Sequence, residues 1–202
     1  MQQKFKLILA SASPRRAEIL RNAGFAFEVV APHVDESRRA NEADGDYVLR
    51  LAEEKARAAH RQLSDKLARD SSVIIGADTV VVIDNEILGK PSSPENAREM
   101  LRRLSGKSHE VYTGLAILTG NGAARTAVER TRVTFERLNE KEIENYIASG
   151  EPFDKAGAYA IQGRGGKFIS HIEGCYFNVM GLPLSRLYSL LHEIEAECRT
   201  SS

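Results

Sequence analysis

The chain has 202 residues, which is long enough for one substantial hydrophobic core that can divide into two lobes. Its 28 lysines and arginines balance its 28 aspartates and glutamates, so the formal net charge is zero. This balance argues against a general nucleic-acid coat protein, because such proteins usually carry a basic excess.

Strands and helices alternate along the first part of the chain, which predicts an α/β fold. Apolar and β-branched runs predict the strands, and apolar residues at helical spacing predict the helices. In order, we predict a strand over 5–10, a helix capped by Ser13 with Pro14 at its first position, a strand over 25–32, a polar loop over 34–46, a helix over 47–63 and a strand over 73–83.

The second part of the chain continues the pattern with clear turn and cap residues. We predict a turn over 84–86, a helix from the Ser93 cap to Leu104, strands over 110–118 and 126–138 joined through Gly120-Asn121-Gly122, a helix with an Asn139–Glu142 capping box that ends at Gly150, two short strands around Ile161 and over 168–172, a helix over 184–195 and a frayed tail over 198–202. With no linker or internal repeat in the sequence, we expect a single domain over 1–202.

Cysteine content and hydropathy narrow the class of protein further. Cys175 and Cys198 are too few for a disulfide framework and lack metal-ligand spacing. No apolar run approaches about 20 residues, and the first residues lack the apolar centre of a signal peptide. We therefore expect a cytoplasmic protein that does not bind membranes.

Arg15 and Arg16 occupy the first turn of the first predicted helix, where the helix dipole is positive. A cation there is unfavourable by about 0.3–1 kcal/mol, and most first turns carry acidic residues instead. In one interpretation both arginines bend away into solvent. In the other, the backbone N–H groups and the two guanidinium groups bind an anion such as phosphate. The residues alone leave both interpretations open.

Asp78 interrupts a predicted strand that otherwise contains β-branched and small residues. Aspartate is a poor strand residue, and an unpaired buried carboxylate costs several kcal/mol. The residue therefore either faces outward on an edge strand or lies at a cleft, where it binds a metal or accepts a proton. Gly76 lies two residues earlier on the same face, and we expect it to leave room for a ligand.

Three other charged residues are candidates for the same site, and each can also be explained without a functional role. Lys55 lies on the apolar stripe of its helix, so its ammonium group either reaches solvent or enters the same cleft as Asp78. Lys90 follows a glycine and is an ordinary loop lysine when judged alone, and Glu36 in its polar loop is more simply solvated. Taken together, such cations and carboxylates, without a histidine or cysteine nucleophile, suit metal-assisted hydrolysis of a phosphate compound. They do not choose the substrate.

Eight segments in order carry a resemblance to a known family: SASPRRAEIL, VDE, LAEEKA, GADTVV, LGKP, LSGKSHEVYTG, GEPFDKAGAYAIQG and NVMGLPLSRL. They are similar to the motifs of the Maf family of nucleoside triphosphate pyrophosphatases. The resemblance implies an elongated α/β, Maf/ITPase-like fold, with a central mixed twisted sheet, helices, and two lobes around a deep cleft. It also implies a homodimer that hydrolyses a nucleotide between its α- and β-phosphates with a divalent cation, Mg²⁺ or Mn²⁺.

The resemblance assigns roles to individual residues. Asp78 matches the catalytic aspartate, the proton acceptor, and we expect Glu36 and Asp78 to hold the metal. The remaining matches in the polar cleft, which we expect to bind phosphate, are Ser11, Arg16, Lys55 and Lys90. Three further positions match the subgroup that hydrolyses dTTP and UTP: Arg15, Thr79 and Gln162. The subgroup that prefers N-methylated GTP carries Trp, Gln and Glu there.

Alternatives of other classes remain. The family resembles septum-formation inhibitors, so the chain could be a non-catalytic nucleotide-binding regulator that signals to a cell-division partner, although the carboxylate at Asp78 favours the enzyme. Within the family, N-methylated GTP is the alternative substrate. If the chain is the pyrophosphatase, we expect roles in nucleotide-pool sanitation and cell-division arrest. Nucleic acid is the third candidate partner, disfavoured by the neutral charge and the few aromatic residues.

Overall fold

The structure of the protein, a computed structural model, describes residues 5–67 and 72–200, with the backbone alone for 64–67 and 198–200. This part contains seven strands: β1 (Lys6–Ala10), β2 (Phe27–Val30), β3 (Ser72–Ile83), β4 (Glu86–Leu88), β5 (Ser108–Thr119), β6 (Ala124–Phe135) and β7 (Ile169–Glu173). It also contains six α-helices: α1 (Pro14–Asn22), α2 (Asp44–Leu67), α3 (Pro94–Leu104), α4 (Glu140–Ala148), α5 (Tyr176–Met180) and α6 (Leu184–Thr200). Three short 3₁₀ helices cover 151–154, 156–158 and 164–168.

The strands form one mixed sheet, which confirms the predicted α/β class. Its order is β2-β1-β3-β5-β6-β7, with β4 paired to β3. β1 runs parallel to β2 and β3, whereas β4 and β7 run antiparallel to β3 and β6. β3 lies inside the sheet and is buried along nearly its whole length, so the interpretation of Asp78 as an outward residue on an edge strand is wrong.

Helices α3 and α4 begin and end as their cap residues predict. The hydroxyl of Ser93 accepts a hydrogen bond from the Asn96 N–H at 3.1 Å. Asn139 and Glu142 form the reciprocal capping box, with both hydrogen bonds at 2.9 Å. The chain leaves α4 through Gly150, whose φ of 77° lies in the left-handed region that suits glycine.

Several predicted bounds are wrong. α2 begins at Asp44 rather than at residue 47, and two aspartates in its first turn complement the helix dipole. No strand forms around Ile161, where the chain bends into a 3₁₀ helix. α5 was not predicted from the sequence. α6 continues through the predicted frayed tail to Thr200, and residues 201–202 of that tail lie outside the described residues.

The chain divides into two compact units, and each has its own apolar cluster. Unit 1 comprises Met1–Asp78, Thr113–Glu129 and Gly181–Ser202, and unit 2 comprises Thr79–Tyr112 and Arg130–Met180. In unit 1, alanines of α2 pack on Ile8 and Ile74. In unit 2, α3 and α4 contribute to a cluster that contains Phe135 and Phe168. The single domain and the deep cleft stay predictions.

Helix α2 lies directly on strands β3 and β5, because two glycines leave room for its backbone. A Cβ on Gly76 would overlap the carbonyl oxygen of Ala52, and one on Gly114 would overlap that of Val48. The expectation that Gly76 leaves space for a ligand is therefore wrong, since the helix fills that space. None of the helices in the described part is both long and apolar enough to cross a membrane.

Candidate active site

The turn that follows β1 supplies the first part of the site. Ala10 at the end of β1 lies opposite Gly76 of the parallel strand β3, so the chain leaves β1 close to the level of Asp78. Ser11 is buried here, and its hydroxyl accepts hydrogen bonds from the Ser13 N–H and from Arg16 Nη1, both at 3.1 Å. Ser13 takes the N-cap position of α1 as predicted, but its side chain makes no capping hydrogen bond. Ser11 orders this turn instead.

Arg16 is a buried cation rather than a solvated one. The residue is only 8% exposed, and its Nε donates to the carbonyl oxygen of Gly181 at 2.7 Å. Burial lowers the pKa of Arg16, while the carboxylates of Asp78 and Glu36 act in the opposite direction. The interpretation with solvated arginines is therefore wrong for Arg16, whereas Arg15 beside it is half-buried.

Lys55 joins the two predicted carboxylates. Its Nζ lies 2.6 Å from Asp78 Oδ1 and 2.6 Å from Glu36 Oε1. The side chains of Lys55 and Asp78 are each 12% exposed, whereas that of Glu36 is 60% exposed. Lys55 therefore enters the site, and its ammonium group compensates a nearly buried carboxylate on β3. A cavity of about 660 Å³ adjoins Glu36 and is lined by residues 32–36.

The segment that carries Glu36 is held by two side chains of α2 that the sequence did not reveal. The Tyr47 hydroxyl donates to the Glu36 carbonyl oxygen at 2.7 Å, and Arg50 Nη2 donates to the Ser37 carbonyl oxygen at 3.0 Å. Arg50 also binds both oxygens of Glu42, at 2.6 and 2.9 Å, and these hydrogen bonds lower the pKa of Glu42 to about 2. In the sequence, Tyr47 and Arg50 stand out only by their position in the first turns of the helix that follows the Glu36 loop.

Unit 1 thus brings together five of the predicted residues, namely Ser11, Arg16, Glu36, Lys55 and Asp78. The others belong to unit 2, apart from the neighbouring Arg15. Thr79 is half-buried and follows Asp78 on β3, so strand alternation turns it to the opposite face. Lys90 is exposed in the segment after β4, and Gln162 is exposed between two 3₁₀ helices. Their roles stay predictions.

Replacing Lys55 with methionine is expected to lower the free energy of unfolding by about 3 kcal/mol, because the nearly buried Asp78 carboxylate loses its compensating charge. Urea unfolding followed by circular dichroism measures this loss. Lys6→Met is the matched control, since Lys6 pairs with Glu28 at 3.1 Å on an exposed surface and its removal should cost less than about 1 kcal/mol. Equal stability of the two variants would contradict the compensating role of Lys55.

Comparison with known proteins places the chain in a family. The model of the Maf-like protein family matches residues 6–194. The chain belongs to the Maf-like protein family. This confirms the family resemblance of the eight segments, because the match covers nearly the whole chain.

Curated relatives of this Maf-like protein are similar along almost their full length. A Bacillus cereus protein named dTTP/UTP pyrophosphatase is 49% identical over 192 residues, which cover 95% of this chain and 91% of that protein. A Bacillus anthracis protein of the same name is 48% identical and is covered to 97%. Among solved structures, a HAM1 protein from Coxiella burnetii superposes with a TM-score of 0.53 at 16% identity, over 94% of this chain and 99% of that one. This last likeness concerns the fold alone.

Proposed function

We propose that this Maf-like protein is a nucleoside triphosphate pyrophosphatase that hydrolyses dTTP and UTP to the monophosphate and pyrophosphate. The observation that carries the proposal is the carboxylate of Asp78, held on an interior strand against Lys55 and close to the buried Arg16. Removing these charges from water is costly, so a cluster of them at one place is a candidate functional site. The names of the Bacillus relatives support the same substrates.

The chain's own residues suit a hydrolysis that depends on positioning and charge. Asp78 accepts the proton of a water molecule as the water oxygen bonds to phosphorus and the bond between the α- and β-phosphates breaks. Arg16, Lys55 and Lys90 supply positive charge to the phosphate oxygens, and the Ser11 hydroxyl orders the turn beside them. Pyrophosphate leaves with the electrons of the broken P–O bond.

Glu36 and Asp78 are the residues that would hold a divalent cation. Their carboxylate oxygens both contact the ammonium group of Lys55, so a positive charge already fits between them. Among residues 5–67 and 72–200, no three histidine, cysteine, aspartate or glutamate side chains cluster as a metal site. The two carboxylates of Glu36 and Asp78 would suit Mg²⁺ or Mn²⁺, because such ions commonly bind through one or two carboxylates together with substrate phosphates. Such an ion would neutralise the charge of the triphosphate when bound.

Removal of divalent cations is therefore expected to abolish hydrolysis, and Mg²⁺ or Mn²⁺ should restore it. Quenched samples should be separated by anion-exchange chromatography, because this readout needs no metal-dependent coupling enzyme. Binding of Mn²⁺ to the protein with a non-hydrolysable UTP analogue, followed by electron paramagnetic resonance, gives a second readout. Full turnover after exhaustive chelation would show that Glu36 and Asp78 act in another way.

Arg16→Ala is expected to have two separate effects. Loss of charge-assisted hydrogen bonds to phosphate should weaken binding of a non-hydrolysable UTP analogue by about 1–3 kcal/mol, measured by calorimetry. Loss of the bond to Gly181 should also lower the unfolding free energy of the nucleotide-free protein by about 1 kcal/mol. Arg16→Lys keeps the charge without the forked geometry and should recover only part of the affinity. Unchanged affinity in Arg16→Ala would exclude Arg16 from phosphate binding.

Base selection is the finer part of the proposal. The Gln162 amide offers one donor and one acceptor, which match the alternating edge of uracil or thymine. Arg15 and Thr79 complete the set of three residues typical of the dTTP/UTP subgroup. Purified protein incubated with a panel of nucleoside triphosphates, with pyrophosphate as the measured product, tests the substrate directly. Absence of pyrophosphate with every nucleotide would favour the regulator of septum formation, and a preference for N-methylated GTP would move the chain to the other subgroup.

The cellular part of the proposal follows from the chemistry and remains a set of predictions. Hydrolysis of triphosphates would remove unwanted nucleotides from the pool and contribute to cell-division arrest. The homodimer and the cytoplasmic location are also predictions.

A further inference from the structure

Gln162 lies in a tripeptide, Ile161-Gln162-Gly163, that is held at both ends although it belongs to no strand or helix. On one side, the Ala160 N–H donates to the hydroxyl oxygen of Tyr146 at 3.1 Å. On the other side, the N–H groups of Arg164 and Gly165 donate to the two carboxylate oxygens of Glu151, each at 3.0 Å. Only three residues therefore separate the two points of attachment.

The two points of attachment are joined to each other. The Tyr146 hydroxyl donates to Glu151 Oε1 at 2.8 Å, and we call these two residues the Tyr146–Glu151 pair. Tyr146 is only 3% exposed, and its ring meets that of Phe168 edge to face at 5.1 Å. Glu151 follows the Gly150 turn at the end of α4. One anchor, fixed in the core of unit 2, thus holds both ends of the tripeptide.

The carboxylate of Glu151 is closely surrounded. Gly163 has a φ of 109°, and a Cβ at this position would lie 2.7 Å from Glu151 Oε2. Burial raises the pKa of Glu151, but hydrogen bonds from Arg164, Tyr146 and Gly165 outweigh it and lower the pKa overall. The side chain is therefore an ionised acceptor at neutral pH, and it accepts three hydrogen bonds.

We propose that Glu151, together with Tyr146, is a positioning residue that orients Gln162 for recognition of the base. The inference rests on the proposed function, in which the Gln162 amide reads a pyrimidine. An amide discriminates bases only when its donor and acceptor ends point in fixed directions, because a rotating amide satisfies several patterns. Gln162 is exposed, and the anchors on either side fix the backbone from which its side chain extends, which limits the directions open to the amide.

Glu151→Gln tests the inference, because glutamine keeps the size of the side chain but replaces one acceptor oxygen with a donor. We expect the ratio of kcat/KM for UTP to that for GTP to fall about tenfold, mainly through a higher KM for UTP. Asn139→Ala is the matched control, since it removes the cap of the same helix, α4, without touching the tripeptide. It should lower the melting temperature and leave the ratio unchanged.

A double-mutant cycle with Gln162→Ala separates positioning from general destabilisation. If Glu151 acts through Gln162, Glu151→Gln should not lower the ratio further in the Gln162→Ala background. The inference is wrong, and the proposed function is unaffected, if Glu151→Gln lowers the ratio equally in the wild type and in Gln162→Ala. The same conclusion follows if Gln162→Ala lowers the ratio but Glu151→Gln leaves it unchanged. If Gln162→Ala leaves the ratio unchanged, base recognition by Gln162 is wrong and the inference fails with it, whereas the pyrophosphatase assignment survives. If the wild type hydrolyses neither UTP nor dTTP, the proposed function itself fails. If Glu151→Gln does not fold, Tyr146→Phe replaces it as the test. This change removes the hydroxyl of the other residue of the Tyr146–Glu151 pair, and we expect the same fall in the ratio of kcat/KM for UTP to that for GTP.

Discussion

Asp78→Asn is expected to lower kcat by about 10²–10⁴-fold while the protein remains folded, because an amide cannot accept the proton of the attacking water. The amide would also lack the negative charge that binds the proposed divalent cation. The fold should tolerate the change, since Lys55 keeps Glu36 as a partner at 2.6 Å. Rapid-quench kinetics with UTP measures the loss of rate, and urea unfolding measures the stability.

The matched control for this change is Asp84→Asn, because Asp84 directly follows β3, the strand that contains Asp78. Asp84 follows β3 in a turn, where its carboxylate pairs with Lys107 at 3.2 Å on an exposed surface. Its φ of 53° suits asparagine as well as aspartate, so the fold should not change. Hydrolysis should continue at the wild-type rate. Activity of Asp78→Asn within a few-fold of the wild type would contradict the assignment of Asp78 as proton acceptor.

Base selectivity carries the second large expected effect. The wild type should hydrolyse both dTTP and UTP, because the methyl group that separates their bases changes preference by only about 10–200-fold. Purine triphosphates should be poorer substrates by up to about 10⁴-fold, since they leave polar groups of the pocket without hydrogen-bond partners. Values of kcat/KM for the nucleotides, measured side by side, give both ratios.

Exchange of the three residues proposed to select the base should redirect this preference. The combined change Arg15→Trp, Thr79→Gln and Gln162→Glu is expected to favour N-methylated GTP over UTP. Activity on the methylated nucleotide also serves as the control for folding, because a damaged active site would lose all substrates together. If the wild type hydrolyses GTP or ATP as well as UTP, the three-residue argument is wrong, whereas the pyrophosphatase assignment survives.

Local features of the fold could be predicted from the sequence because their causes are local. Ser93 and the Asn139–Glu142 pair act on N–H groups within three residues, so the starts of α3 and α4 follow from the sequence alone. Asp78 could be singled out because a carboxylate within a β-branched run is costly to bury unless another charge compensates it. The strand predicted around Ile161 failed because side-chain acceptors from another segment bind the N–H groups on either side of it.

The supporting residues of the site could not be predicted, because their contacts join distant parts of the chain. Tyr47 and Arg50 bind the Glu36 segment over separations of 11 and 13 residues, and Glu151 binds Arg164 over 13. The prediction for Gly76 failed for a related reason. Its missing side chain could serve a ligand or a helix, and only the position of α2 decides between them.

The direct contact of α2 with β3 has a consequence for how the rate of this enzyme can change. At Gly76 no side chain separates the two backbones, so any side chain added there would displace α2, the helix that carries Lys55 to Asp78. A displacement of about 1 Å in a reacting group can cost about 100-fold in rate. Under the proposed function, a methyl group added at position 76 is therefore expected to lower turnover without contacting the nucleotide, because it would shift Lys55 relative to Asp78.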